Sequence, residues 1–202
     1  MNAKLTPTSL HQRLASSSRD RHQALDQHPS LKRLLSPGMS LTEYVQVLCL
    51  LRQCFSLIEP ALASFEKSGL HPGFSPYTCK VPALDHDLQQ LGVNAQEDSS
   101  ISPICVDSIG SYLGARYVLE GSSQGGIFIA SRLEKTLPEL CDKAFSFWHL
   151  QRHAAEHWSA FLAMLAQLDG DSREAQQALR STIQTFDVFL GVFSKVIHDR
   201  SD

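Results

Sequence analysis

From Leu41 onward, apolar side chains fall at Leu41, Tyr44, Val45, Leu48, Leu51, Phe55, Ile58, Leu62 and Phe65. Steps of three and four put them on one face of a long amphipathic helix. Pro60 lies inside this pattern and is expected to kink it. The same periodicity returns at Ala175, Ala178, Leu179, Ile183, Phe186, Phe189, Leu190, Phe193 and Ile197, over about six turns. Between the two, the stretch from Trp148 to Leu168 carries Trp158, Phe161, Leu162, Leu165 and Leu168 at similar spacing.

Breakers divide the rest. A first helix is expected from about Ser9 to Gln27, stopped by His28-Pro29. A short helix follows to Leu35, where Ser36-Pro37-Gly38 ends it. Residues 69–80, rich in Gly and Pro, read as a loop, and Pro82 to Leu91 as a short helix capped by Gly92. Asp98-Ser99-Ser100 or Ser102-Pro103 is expected to start the next helix, leading toward Tyr117. There is no sustained period of two, no internal repeat and no long linker. The expected architecture is all-α: one helical domain over residues 9–199 behind a flexible N-terminus of residues 1–8.

Composition narrows the function. The chain has 202 residues, 43% apolar and 19% charged, with a formal charge of -3, which suits a soluble globular domain. A weakly acidic chain offers no global field for nucleic acid, so none is expected as a partner. No apolar run approaches the roughly 20 residues of a membrane span, and the first residues lack a secretory h-region. The expectation is a cytoplasmic protein with no membrane contact. Five scattered cysteines without C-x-x-C argue against both a disulfide framework and a zinc site.

Candidate chemistry concentrates in two stretches. Gly121-Ser122-Ser123-Gln124-Gly125 fits G-x-S-x-G, the nucleophile elbow of serine hydrolases. Ser123, Asp169 or Asp187, and His198 even follow in the right order. An elbow needs a sheet, however, and the flanking segments read as helix. What remains is a helix from about Ser108 to Lys135 interrupted by Gly121, Gly125 and Gly126. Each interior glycine costs about 0.8–1 kcal/mol relative to alanine, so three in six residues need a reason. Bare backbone admits either a ligand or a second helix. In the first helix, Leu14, Ser18, His22 and Leu25 share a face, so His22 points where an apolar residue is expected. It is either a hydrogen-bonded core histidine or a metal ligand, with Asp26 at i+4 to hold the other ring nitrogen. His149, His153 and His157 form a second stripe, read as a solvated face.

Together the two stretches resemble heme oxygenases, and bacterial ones associated with bacteriophytochromes more closely. The resemblance rests on "SSSRDRHQALDQHP", "YLGARYVLEGSSQGG", "LDHDLQQLG" and "HWSAFLAML", and it covers most of residues 9–195. It implies an all-α fold holding heme between a proximal helix and a kinked distal helix. His22 would be the axial iron ligand and Asp26 the carboxylate that orients it. Gly121, Ser122, Gly125 and Gly126 would form the distal wall where O₂ is activated, and Phe186 and Phe193 would help enclose the heme. The implied activity is oxygen-dependent cleavage of heme, at once substrate and cofactor, to biliverdin, iron and carbon monoxide. The implied electron donor is a ferredoxin or flavoprotein reductase, and the implied biliverdin acceptor a bacteriophytochrome.

Departures from the family pattern matter. Ser122 stands where animal members place an aspartate, and Gln124 where bacterial relatives usually have leucine. Two basic propionate-anchoring positions are Ala15 and Ser159. Arg116, at a tyrosine position, is expected to pair with a propionate, with Arg13, Arg19 and Arg152 as further compensating cations. The alternatives are a non-catalytic heme-binding or heme-sensing protein on the same fold, or a helical protein for another small molecule.

Overall fold

Serines open the three longest helices that precede residue 137, and each does so through a reciprocal capping box. Ser9 pairs with Gln12 at the start of α1 (Leu10–Asp26), Ser40 with Glu43 at α3 (Leu41–Lys67), and Ser108 with Ser111 at α5 (Ile109–Thr136). Pro29 occupies the first turn of the short α2 (Pro29–Arg33), where His28 Nδ1 accepts from the Ser30 N–H. Then come α4 (Val81–Gln90), a 3₁₀ turn (Pro138–Leu140), α6 (Ser146–Glu156), α7 (Trp158–Leu165) and α8 (Arg173–His198). This computed structural model describes residues 9–70, 75–94 and 100–198, and among them there is no strand. The expected flexible segment 1–8 lies outside the described residues. Gly38 and Gly92 both adopt positive φ, the turn conformations their positions after α2 and α4 imply.

Three expectations change. No helix begins at Ser100 or Ser102: described residues 100–107 are non-helical. Ile104 N–H is bonded there to the Leu57 carbonyl of α3, and the capping box at Ser108 sets the true start. The stretch after Trp148 is two helices, α6 and α7, separated at His157. Finally, α5 is not interrupted. The helix runs through Gly121, Gly125 and Gly126, none of which has positive φ. Pro60 lies inside α3, as its place in the apolar pattern implies.

By length and composition, α3, 27 residues with a mean hydropathy of 1.4 over its most apolar window, could cross a bilayer, contrary to the sequence expectation. It is instead placed as a core helix. Tyr44, Leu48, Leu51, Phe55, Ile58 and Leu62 are buried along one face, and it packs against α4, α5 and α8.

The close helix–helix packing considered for the glycines of α5 occurs at Gly126, and at two glycines upstream of the cluster as well. Gly110 and Gly114, one turn apart, face the backbone of α8, where a Cβ on Gly114 would lie 2.8 Å from Ala178 Cα. That approach lets the buried Ser181 and Thr182 hydroxyls of α8 donate to the Ser111 and Gly114 carbonyls, at 2.7 and 3.0 Å. The first half of α5 is thereby fixed, and its second half is left to line a cavity.

Asp87, from the "LDHDLQQLG" stretch, supplies the cap that α6 lacks within its own sequence. Fully buried, its carboxylate accepts from Ser146 and Phe147 N–H at 2.8 and 2.9 Å. It thereby satisfies two open donors and favours the positive end of the helix. Asp87→Ala leaves both N–H groups without this acceptor, the Phe147 N–H in a buried setting. We expect a loss of about 2–4 kcal/mol in urea unfolding, set by desolvation of those donors. A variant within 0.5 kcal/mol of the parent protein, the ordinary scatter of a surface change, would show that the cap contributes nothing.

Candidate functional site

The second half of α5 and the C-terminal end of α1 face each other across a cavity of about 460 Å³. Its lining includes His22 and Asp26 from α1; Gly121, Ser122, Gln124, Gly125 and Gly126 from α5; and Phe186 and Phe189 from α8. A second space of about 430 Å³ adjoins it, sharing His22, Asp26, Val118, Gly121, Gln124 and Phe186 and adding Ala15, Ser18, Arg19 and Trp158. The two share a wall and form one cleft, sized for a small-molecule ligand.

The surroundings of His22 remove one of the two readings posed by its helical face. Leu14, Ser18 and Leu25 are buried, but the His22 side chain among them is 63% exposed, because it meets the cleft instead of protein. It is therefore not a hydrogen-bonded core histidine. Nδ1 lies 2.9 Å from Asp26 Oδ2, and the ring rests against Phe186 with centroids 5.9 Å apart. A proton on Nδ1 donated to the carboxylate leaves Nε2 as a lone-pair donor. Among the described residues no three His, Cys, Asp or Glu side chains converge as a metal site.

Across the cleft the three glycines differ. A Cβ on Gly125 would meet nothing within 4 Å, so this position opens directly into free space. One on Gly121 would touch the Trp158 ring at 3.4 Å, an ordinary contact. One on Gly126 would fall 2.9 Å from Gln151 Cβ, so that glycine serves the approach of α6. Ser122 lines the cavity with its hydroxyl donated back to the Leu119 carbonyl at 2.7 Å. Gln124 also lines the cleft, with its amide donating to the Ala155 carbonyl at 3.1 Å.

The side walls are apolar: Leu31 and Leu34 near α2, Leu51 and Phe55 from α3, and Phe147 and Trp148 from α6. Trp148 is held by its indole N–H on the Tyr44 hydroxyl at 3.1 Å, and Tyr44 donates to the Ala144 carbonyl. Phe128 stands at the rim, 74% exposed although it lines the cavity. None of these wall residues was singled out from sequence. They belong to the same apolar stripes as the core, and periodicity carries no mark for the part of a stripe that meets empty space.

Two expected contacts are not made. Arg116 does not face this cleft. It is buried among its own partners, with Nε on Glu120 at 2.9 Å and Nη1 on the Ser75 carbonyl and the Tyr112 hydroxyl at 2.6 and 2.8 Å. Its position four residues before Glu120 turns it toward an internal ion pair instead of the cleft. Phe193, fully buried, packs on His28 with centroids 5.2 Å apart, beyond the cavity wall that Phe186 forms. Of the compensating cations, Arg13 is taken by Gly170 and Asp171 and Arg152 by Glu134, whereas Arg19 lines the cleft beside Ala15.

Among the described residues no hydrolase assembly forms around Ser123. It is buried and donates to Gln151 Oε1 at 2.8 Å, while Asp187 pairs with Arg21 at 2.6 Å. The side chain of His198 lies outside the described residues. His149, His153 and His157 are all exposed, as read from the sequence.

With the geometry in place, similarity to known proteins becomes informative. A family model described as heme oxygenase matches residues 8–195. A curated heme oxygenase from Xanthomonas campestris pv. campestris is 36% identical over 91 residues, 45% of this chain and 53% of that protein. The chain thus spans about half the length of that relative. Among solved structures, the NO- and CO-bound heme oxygenase from Neisseria meningitidis superposes with a TM-score of 0.69 at 19% identity. That match covers 93% of this chain and 91% of the other, and at such identity it speaks for the fold.

Proposed function

The chain belongs to the heme oxygenase family, and on that premise we propose that it binds heme in the cleft between α1 and α5 and degrades it with O₂. The products are biliverdin, iron and carbon monoxide, and an external donor such as a ferredoxin or a flavoprotein reductase supplies the electrons. A bacteriophytochrome is the proposed acceptor of the biliverdin. The proposed functional unit is the single helical domain of residues 9–199, acting in the cytoplasm.

One observation carries the reading: an uncovered histidine, tied at Nδ1 to Asp26, in an otherwise buried stripe and opposite a glycine that opens into the same cleft. The residues fit the group. The walls are apolar and aromatic, as a flat apolar ring requires, and His22 would offer one nitrogen to its iron.

When bound, heme supplies both the iron that activates O₂ and the carbon skeleton that is cut. The protein's part is to hold, orient and exclude. Asp26 fixes the ring of His22 and keeps Nε2 directed at the cleft. Arg19, beside Ala15, is the cation proposed for a propionate. Phe55, Phe147 and Trp148 keep water from the closed side. The α5 wall at Gly121 and Gly125 presents backbone and the Ser122 hydroxyl close to the open face, with no carboxylic acid in the aspartate's place. A hydroxyl there would be a far weaker acid than an aspartate and would deliver a proton less readily.

Titration of the purified protein with hemin tests the binding step. We expect a saturating Soret band with an end point of about one hemin per chain, the stoichiometry of one cleft. A difference spectrum that rises without saturation, as for hemin on any apolar surface, would refute the assignment of the cleft.

A further inference from the structure

Arg116 and Glu120, one turn apart on a single face of α5, line a polar cavity of about 260 Å³ together with Lys80. This cavity shares no lining residue with either part of the cleft. The three charged side chains belong to residues only 5%, 5% and 1% exposed. Thr78, His157 and Ala160, all exposed, also line the cavity, so it communicates with solvent.

Two cations here have donors to spare. Arg116 spends Nε on Glu120 and Nη1 on the Ser75 carbonyl and the Tyr112 hydroxyl, while Nη2 has no partner among the described residues. Yet the one fully buried side-chain nitrogen or oxygen without a partner among those residues is His28 Nε2. Arg116 Nη2 therefore reaches open space, and the cavity is the space that Arg116 lines. The same reasoning applies to Glu120 Oε2, because only Oε1 accepts from Arg116. The Lys80 ammonium donates to the Tyr77 hydroxyl at 3.1 Å and toward the Leu119 carbonyl at 3.5 Å. Its third proton has no acceptor among the described residues. Glu59, outside the cavity lining, is committed to the Tyr77 hydroxyl and the Lys80 and Val81 N–H groups. Neither Glu59 nor Glu120 forms a direct ion pair with the ammonium.

A buried ammonium without a direct counterion has two remedies: it loses its proton, or it acquires an anion. Burial lowers the Lys80 pKa to about 8, against the pull of Glu120 and Glu59. At neutral pH the side chain is thus still mainly charged, beside a second cation with a free N–H group.

We propose that this cavity binds a small oxyanion that keeps a hydroxyl, of the bicarbonate type: Lys80 and Arg116 Nη2 donate to its oxygens, and its hydroxyl donates to Glu120 Oε2. The carboxylate sets the class. A fully deprotonated anion places a bare oxygen against Glu120, whereas a hydroxylated monoanion offers it a proton. Size agrees, since drug-sized ligands occupy roughly 300–1,000 Å³ and this space suits an ion of a few heavy atoms with water. The site goes beyond the heme reading and does not rest on it.

The test is the thermal midpoint of the ligand-free protein at about pH 7, with bicarbonate exchanged for chloride at constant ionic strength in closed vessels. A saturable rise is expected, because a ligand that binds only the folded state stabilises it. Formate, planar but without the hydroxyl, should bind at least about tenfold more weakly, the worth of one hydrogen bond to a charged group. Raising the pH from about 7 to about 9 should weaken bicarbonate about tenfold, since the ammonium is lost as pH rises through about 8. Lys80→Met should abolish the saturable rise, and an apolar side chain of similar size often replaces a buried charge without loss of stability. Lys80→Gln takes its place if the methionine variant does not fold, and the formate and pH arms need no variant.

A response to bicarbonate that does not exceed that to chloride overturns the proposal, as does a parent-like rise in Lys80→Met. Affinity unchanged at about pH 9 overturns the role of the ammonium. Formate binding as tightly as bicarbonate overturns the part given to Glu120, and with it the class of anion. Hemin uptake has no bearing on any of these outcomes, so the heme reading stands or falls separately.

Discussion

His22→Ala is expected to abolish axial ligation, leaving the Soret band of the hemin complex weakened and displaced or absent. His22 is the sole α1 side chain with a ring nitrogen presented to the cleft, and its other nitrogen is committed to Asp26. A carboxylate partner of this kind raises ligand basicity and fixes the ring, so loss of the ring removes both effects together. Losing such an outer partner alone typically costs about 10–100-fold in affinity, and losing the ligand should cost at least that. Asp26→Ala should therefore fall between the parent protein and His22→Ala. The fold should not suffer, because the His22 side chain is 63% exposed and makes few packing contacts to lose. Unfolding free energy is expected to stay within about 0.5 kcal/mol. Added imidazole should enter the space left behind and restore a histidine-like spectrum. An unchanged spectrum in His22→Ala would place the ligand elsewhere.

Gly125→Leu should separate binding from turnover. A Cβ at Gly125 meets nothing within 4 Å, so the larger side chain is accommodated by the helix and projects into the cleft. It then occupies the space where O₂ must approach. Helix propensity favours leucine over glycine, so the variant should be no less stable than the parent. Hemin affinity is expected to fall modestly. Turnover should fall about 100-fold or more, equivalent to some 2.7 kcal/mol of barrier, because a tight distal wall is sensitive to sub-ångström misplacement. Gly126→Ala provides the contrast. Its Cβ would come 2.9 Å from Gln151 Cβ, so that substitution acts on the α5–α6 contact and on stability. Parent-like turnover in Gly125→Leu would mean that the glycine does not border the reacting face.

What was legible in the sequence depended on range. Helices followed from periodicity and caps, because steps of three and four and a serine before them are local facts. The pairing of His22 with Asp26 was legible for the same reason, as an i, i+4 relation on one helix. The resemblance brought His22 and the glycine helix together, and the cleft between α1 and α5 contains both. Partner choice across the fold was not legible. Arg116 read as a free cation although Glu120, its i+4 neighbour, was in view; Ser75 and Tyr112 complete its enclosure. Phe186 and Phe193 lie seven residues apart and so share a face, but the cavity ends before the second. The glycines that admit α8 are Gly110 and Gly114, whose four-residue spacing was visible but overshadowed by the denser cluster downstream. The partners of Asp87 and Lys80 lie in α6 and at Leu119, far away in sequence.

The central claim is that this cleft degrades heme instead of storing it, and a single-turnover reaction tests it most directly. The protein is loaded with one hemin per chain and given ascorbate or reduced ferredoxin under air, with catalase present. Enzymatic turnover predicts loss of the Soret band, growth of red absorbance from biliverdin, and release of one carbon monoxide per heme. A stable oxy complex with its Soret band intact and no carbon monoxide would contradict the account and leave a heme-binding protein on a heme oxygenase fold.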